Sequence, residues 1–487
     1  MKKEDEGMEE RRKPNIVYVF ADQWRRQAVG IRNEDPVMTP NMDRFASESM
    51  VFEQAVSCTP LCSPHRAALL TGRYALSTGV YTNCKTGLDM RLSPEETAIG
   101  HVLSGAGYRT GYIGKWHLDL PEQNREEHPL SGAREWDAYT PPGPGRFGFD
   151  YWYSYGAYDQ HLKPHYWENS PEMVKVDQWS AEHETDKALA FLREHGGKQE
   201  PFALFVSWNP PHSPFELVPE AYRDSYADKK LSPHSHRANV IVQDPFLIHT
   251  GEEVDGGAER LDQASRDYFA AVTGIDEQFG RIMDELRELN LLEQTIVVLT
   301  SDHGELLGSH GMMAKHSWHE ESIGVPFMIG WKGAIKPGTT DVVLNTVDIM
   351  PTLLELAELP LPDSIEGSSV ADFLKKGGSS EEAELASRAA YISAFPGRME
   401  AIESFRAAGL EHLHYGWRGV RTSRYTYVVD KGYFAGSETR RLLYDLADDP
   451  FQMKPVSLKS ATEHPVAQLL EVRLREFLDE TRDSFSL

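Results

Sequence analysis

Four short apolar runs, far apart in the chain, each break off into polar, titratable residues. Residues 15–21 (Asn-Ile-Val-Tyr-Val-Phe-Ala) end in Asp22-Gln23, and residues 108–113 in Gly114-Lys115-Trp116-His117. Residues 202–208 end in Asn209-Pro210-Pro211-His212, and residues 295–300 in Ser301-Asp302-His303. Continuous apolar runs of this length predict strands covered on both faces, the habit of parallel sheets flanked by helices. In open α/β sheets the carboxyl ends of such strands border the binding crevice. Carboxylates, amines and imidazoles at four such ends predict one site assembled from distant segments. Taken singly, each reads equally as a loop residue. His212, in a turn stiffened by prolines, suits proton transfer or simple capping.

The stretches between these runs supply the flanking layers. Helices are expected at residues 39–49, opened by Thr39-Pro40, and at 95–106, 181–194 and 264–289. In the last of these, Tyr268, Val272, Ile275, Phe279, Ile282 and Leu286 recur at helical spacing and mark a core-facing stripe. A further strand is expected at 326–330 and a helix over 348–359 opening on Pro351. The aromatic-rich stretch 146–167 reads as core under a long loop, with sugar stacking as the lesser alternative. Residues 223–257 read as a polar surface excursion, and 366–387 as a linker. Short strand-like pieces (390–394, 416–422, 425–429, 438–445) and a helix over 465–480 follow. The expected fold is α/β, with a large central, mostly parallel sheet flanked by helices over residues 14–375. A polar tail (1–13) precedes it, and a smaller C-terminal α+β domain (376–487), an antiparallel sheet plus helix, follows.

Charge narrows the partners. Fifty Lys+Arg against seventy-five Asp+Glu give 487 residues a formal charge of −25, which argues against a nucleic-acid partner. An anionic ligand therefore needs a local basic pocket. The three cysteines, Cys58, Cys62 and Cys84, make neither a disulfide framework nor a zinc-binding spacing, and a Cys58–Cys84 bridge is left open. Residues 1–13 hold no apolar signal-peptide core, and no run approaches the length of a membrane span. As it stands the chain is expected in the cytoplasm, or in the periplasm or medium if a leader was trimmed.

One short stretch is more specific than the rest. Cys62-Ser63-Pro64-His65-Arg66 runs into Ala67-Ala68-Leu69-Leu70-Thr71-Gly72-Arg73. Pro64 suits a first helical turn, and the start of a helix offers free N–H groups and a positive dipole end to an anion. A lone cysteine in that place usually reads as core. The order Cys-x-Pro-x-Arg with the following run, however, resembles the signature of the type I, formylglycine-dependent sulfatases of the alkaline phosphatase superfamily. The resemblance extends over nearly the whole chain. Asp22-Gln23 resembles that family's first metal-ligand pair, and Ser301-Asp302-His303-Gly304 its second. Gly114-Lys115-Trp116-His117, Pro211-His212 and Lys315 match further stretches, and Leu443-Tyr444-Asp445-Leu446 with Asp449-Pro450 matches the C-terminal signature.

The resemblance implies a sulfuric ester hydrolase in which Cys62 is oxidised to formylglycine by a maturation enzyme. It implies one divalent cation held by Asp22, Gln23, residue 62, Asp302 and His303. Hard oxygen ligands suit calcium, although Gln23 and His303 stand where many relatives have Asp and Asn, which gives weight to manganese or zinc. Arg66, Lys115 and Lys315 would neutralise charge on the transferred group, and His117 would hold the diol and assist loss of sulfate. His212 is expected to protonate the leaving alkoxide, with Lys315 second. The substrate implied is a small-molecule or glycan sulfate ester, with a sulfated sugar expected ahead of choline or aryl sulfate. Alternatives are a phosphonate monoester or phosphodiester hydrolase of the same superfamily and, from another class, a non-catalytic anion-binding protein.

Overall fold

The computed structural model describes residues 13–229, 231, 257–378 and 387–487. Along the chain the strands are β1 (Asn15–Ala21), β2 (Met50–Val56), β3 (Arg109–Lys115), β4 (Tyr151–Tyr155), β5 (His165–Tyr166), β6 (Val174–Lys175) and β7 (Phe202–Trp208). Next come β8 (Thr295–Ser301), β9 (Phe327–Gly330) and β10 (Gly338–Asn345). The last five are β11 (Ala389–Ala394), β12 (Trp417–Thr422), β13 (Tyr425–Asp430), β14 (Arg440–Asp445) and β15 (Val456–Leu458).

Eight strands form one sheet in the order β10-β2-β9-β8-β1-β7-β3-β4. Only β9 runs antiparallel to its neighbours. The four strands that end in titratable residues are therefore contiguous, β8-β1-β7-β3, at the centre of the sheet. Their register is even: Ala21 stands opposite Ser301 on one side and Trp208 on the other. All seven residues of β1 are buried, with Ile16, Tyr18 and Phe20 entering one core and Val17, Val19 and Ala21 the other. The first core holds Ala67, Leu69 and Leu70 of the helix Cys62–Thr71. The second holds Phe279, Ile282 and Leu286 of Gly257–Glu288 and Leu189 and Phe191 of Ser180–His195. Helices on both faces of a parallel sheet follow from strands apolar on both faces.

The smaller sheet, β11-β12-β13-β14-β15, is antiparallel throughout. One face takes Leu470, Leu474 and Leu478 of the helix Pro465–Glu480. Its other face buries Ile392, Trp417 and Val428 against Val56, Ile323 and Val343 of the large-sheet layer. The architecture expected from the sequence is thus present.

Several details differ from expectation. Strands β2, β4 and β10 escape sequence reading, and the aromatic stretch contributes core residues, Trp152, Tyr153, Tyr155, Tyr166 and Trp167. The helix expected to open on Pro351 begins at Thr346, because Asn345 and Asp348 form a capping box ahead of it. Residues 371–375 of the expected linker form a helix that buries Phe373 and Leu374. All three cysteines are free and buried. Most of the polar excursion and of the N-terminal tail lies outside the described residues.

Candidate active site

Each strand end delivers its polar residues to the head of the Cys62–Thr71 helix. Side by side, β1 and β8 hand over Asp22 and Asp302, whose backbones are tied by Asp302 N–H donating to Ala21 O at 3.1 Å and Gln23 N–H to Asp302 Oδ1 at 3.0 Å. Every residue of the Cys62–Thr71 helix is buried. At its first position the Cys62 Sγ lies 3.6 Å from Asp22 Oδ1 and 3.4 Å from His303 Nε2.

Asp22, Cys62, Asp302 and His303 each point one ligand atom into a common space, and these atoms lie within 4.8 Å of one another, all buried. The donor chemistry fits a single cation. His303 Nδ1 donates to Gly304 O at 3.0 Å, which orients the ring and turns Nε2 toward the two carboxylates, each 3.6 Å away. The outer oxygen of Asp22 is held by Lys115 Nζ at 2.8 Å and Arg66 Nη2 at 3.0 Å, so its inner oxygen faces the centre. In a matured chain an oxygen of residue 62 would stand where the sulfur is. Gln23 sits beside this group and turns its side chain elsewhere, donating to Glu305 and accepting from Lys315.

The charges balance tightly. Burial alone would raise the Asp22 carboxyl, but Lys115, His212, Arg66 and His303 outweigh it and hold it well below the usual carboxylate range. Burial and the Asp22 charge raise Asp302. Burial and Asp22 would also raise the Cys62 thiol, yet Lys115, Lys315 and His303 prevail and pull it well down. The centre is set to hold an anion at residue 62.

Arg66 is placed otherwise than the sequence suggests. Its Nη2 donates to Asp22 and, at 3.3 Å, to Asp302, while Nη1 donates to Lys115 O at 2.6 Å and Ser207 Oγ at 2.7 Å. These bonds point it at the carboxylates from behind, so it fixes their geometry. Lys115 divides its ammonium between Asp22 and Asn209 Oδ1, 3.1 Å away. To bring it there, β3 approaches β7 so closely that a Cβ on Gly114 (φ +96°) would lie 2.1 Å from Ser207 O. The strand stops at Lys115, and His117 adopts φ +54°, so these two residues do not share an extended run. His117 still reaches the site: Nε2 bonds Cys84 O at 3.1 Å, leaving Nδ1 a bare, buried acceptor that feels the Cys62 charge.

His212 and Lys315 face each other, with Nε2 3.0 Å from Nζ. His212 Nδ1 lies 2.7 Å from Ser213 O, which can only accept. A neutral His212 therefore carries its proton on Nδ1 and accepts from the lysine at Nε2.

All ten expected residues thus come to one place, and two more join them unforeseen. Asn209 holds Lys115 and Asp159. Buried Glu305 accepts from Gln23, Leu307 N and Ala314 N, which fixes the loop that presents Lys315. Both follow a buried strand within four residues, and that placement alone was the available signal.

Residues 14–359 match the sulfatase family, and residues 308–480 match the C-terminal region of N-sulphoglucosamine sulphohydrolase. The chain is 36% identical to an endo-4-O-sulfatase of Bacteroides thetaiotaomicron over 92% of this chain and 89% of that protein. It is 34% identical to an ulvan-active sulfatase of Formosa agariphila, over 99% and 84% respectively. A solved 4S-sulfatase structure from work on glycosaminoglycan metabolism in B. thetaiotaomicron superposes with a TM-score of 0.83, at 34% identity and 97% coverage of both chains. By fold and likeness alike, the chain belongs to the sulfatase family of sulfuric ester hydrolases.

Proposed function

We propose that the protein hydrolyses a sulfate ester of a sulfated carbohydrate, using Cys62 matured to formylglycine and one divalent cation. The observation that carries this is the buried convergence of Asp22, Cys62, Asp302 and His303, with Lys115 and Lys315 beside it. The names of two relatives, active on 4-O-sulfated and ulvan substrates, support the sugar.

Asp22, Asp302, His303 and residue 62, with Gln23 alongside, would hold the cation. Two carboxylates and an oxygen of residue 62 favour calcium, and the imidazole gives manganese or zinc a claim. Bound there, the cation would supply charge that favours an ionised hydroxyl at residue 62. That hydroxyl would attack sulfur while the S–O bond to the sugar breaks. Lys115 and Lys315 would balance the sulfuryl charge, and Lys315, its Nζ 3.0 Å from His212 Nε2, would give a proton to the sugar alkoxide with His212 holding it in line. Arg66 acts through the carboxylates as a positioning residue. His117, bare at Nδ1, would accept the proton from the second hydroxyl of residue 62 as sulfate departs and the aldehyde returns.

Peptide mass at residue 62, read alongside activity on sulfated sugars, choline sulfate, aryl sulfate and phosphonate esters, tests this. Conversion of the thiol to an aldehyde and a preference for sulfated sugars are expected. Full activity in Cys62→Ala protein, or a preference for phosphonate esters, would overturn it.

A further inference from the structure

The aromatic-rich stretch brings one carboxylate to the rim of the site, Asp159, which plays no part in the chemistry above. It stands against two of the four strand ends at once. Its Oδ1 accepts from Asn209 Nδ2 at 3.1 Å, and the oxygen of that same amide accepts from Lys115 Nζ at 3.1 Å. Oδ1 also lies 3.5 Å from His212 Nδ1, across the imidazole from Lys315, which meets Nε2 at 3.0 Å. Asp159 is thus beside the pair that would meet the departing sugar alcohol.

The loop that carries Asp159 is held on both sides. Asn209 Nδ2 donates to Tyr158 O at 3.0 Å, and His161 Nε2 donates to His212 O at 2.8 Å. The Tyr158 ring lies 4.2 Å from that of buried His165, whose Nε2 is fixed by Asp137 at 2.5 Å. Residues 158 and 161 are therefore tied to the strand end at 209–212, and the carboxylate between them is set in place before any ligand arrives.

Only one of its oxygens is used within the protein. Oδ2 makes no hydrogen bond or ion pair among the described residues, and the side chain is 47% exposed. Burial would raise this carboxyl, but His212 and Lys115 outweigh it and lower its pKa, so Asp159 is an anion at neutral pH. A free carboxylate at the rim of a centre built for anions opposes the charge of the substrate, and Lys115 and Lys315 have to offset it. What such a group gains is discrimination. It accepts a bond from an O–H beside the ester and repels a second anion there. On a sulfated sugar the donors next to the ester are the hydroxyls of the adjoining carbons.

We propose that the free oxygen of Asp159 accepts a hydrogen bond from the hydroxyl vicinal to the cleaved ester, and that Asp159 rejects sugars carrying a second sulfate in that position. This rests on the carbohydrate reading above and narrows it to esters with a free neighbouring hydroxyl. Asp159 touches neither the sulfur nor the transferred proton, so it sets specificity.

The test uses one sulfated sugar in three forms, whose neighbouring position bears hydroxyl, hydrogen or a second sulfate, and follows release of the shared sulfate. In the wild type kcat/KM should be about 10–100-fold higher with hydroxyl than with hydrogen, the worth of one hydrogen bond to a charged group, mainly through KM. The disulfated form should fall at least as far behind, because like charges meet. Asp159→Ala should bring both ratios close to unity. Asp159→Asn, which still accepts from a hydroxyl but carries no charge, should keep part of the first ratio and lose most of the second. A wild type blind to the hydroxyl overturns the role of Asp159. So do variants that lose equally on all three forms, which would make it a prop for Asn209 and His212. A preference for choline sulfate that Asp159→Ala abolishes would give the carboxylate to a quaternary ammonium and also overturn it. Equilibrium binding of the three forms to Cys62→Ala protein, with and without Asp159→Ala, reads the same ratios without turnover. If the wild type hydrolyses none of them the function fails, while the binding ratios still decide the role of Asp159.

Discussion

Glu320→Gln offers the sharpest test of how the two sheets are joined. Glu320 is 3% exposed and accepts from Arg421 Nε at 3.0 Å and Nη2 at 2.9 Å, and from Arg26 Nη2 at 2.6 Å. Arg421 lies on β12 of the small sheet, whereas Arg26 follows β1 of the large one. Burial would raise this carboxyl, but the two arginines outweigh it and lower its pKa from 4.5 to about 2. A difference of about 2.5 units corresponds to roughly 3 kcal/mol. Burial also makes the Arg26 guanidinium easier to deprotonate, so that figure is a ceiling. Because the folded pKa is the depressed one, the stabilisation is complete above about pH 4.5 and is lost as pH falls toward 2. Glu320→Gln leaves two buried arginines facing a neutral amide and should cost about 2–4 kcal/mol at pH 7. Urea unfolding of wild type and variant at pH 7 and pH 3 measures it, and the gap should shrink by about 2 kcal/mol at the lower pH. A cost under about 0.5 kcal/mol at pH 7, or a gap independent of pH, would show that the Arg26–Glu320–Arg421 bridge does not join the sheets.

Two further outcomes are expected at the centre. Asp302→Ala should lose both activity and bound divalent cation, and a variant that retains one cation per chain by elemental analysis would remove Asp302 from the ligand set. Lys315→Ala should lose on the order of 10²–10⁴ in rate on a sugar sulfate, the span of general acid catalysis, and far less on a nitrophenyl sulfate, whose leaving group needs no proton. Equal losses on both would make Lys315 a sulfuryl-binding residue, and a selective loss in His212→Ala instead would move the proton to the histidine.

The sequence was most legible where the physics is most one-sided. The runs at β1, β7 and β8 are apolar on both faces, so they could be little else than central strands, and their ends carried the site. Strand β2 escaped because Glu53 and Gln54, half-buried, break its apolar run. Strand β10 escaped because it opens Gly-Thr-Thr-Asp with its first residues exposed. In β4, three consecutive aromatic residues resembled packing under a loop, and the strand partner that makes them a sheet edge, β3, lies forty residues earlier. At the site, residue types told which groups matter but not which way they face. Arg66 could be named from its motif, yet only the geometry turns its guanidinium toward Asp22 and Asp302. The tautomer of a neutral His212 depends on a backbone carbonyl beside it, which no side-chain pattern records.

Among the described strands, the one at the middle of the large sheet is made first. β1 cannot be paired on one side until β8 emerges, 280 residues later by their register. At about 5–20 residues per second that is a wait of roughly 15–55 s on the ribosome. Cys62 leaves the ribosome early in that interval and ends it in a helix with no exposed face. Any enzyme that matures this thiol therefore has its opportunity while the chain is still being made, and folding closes it.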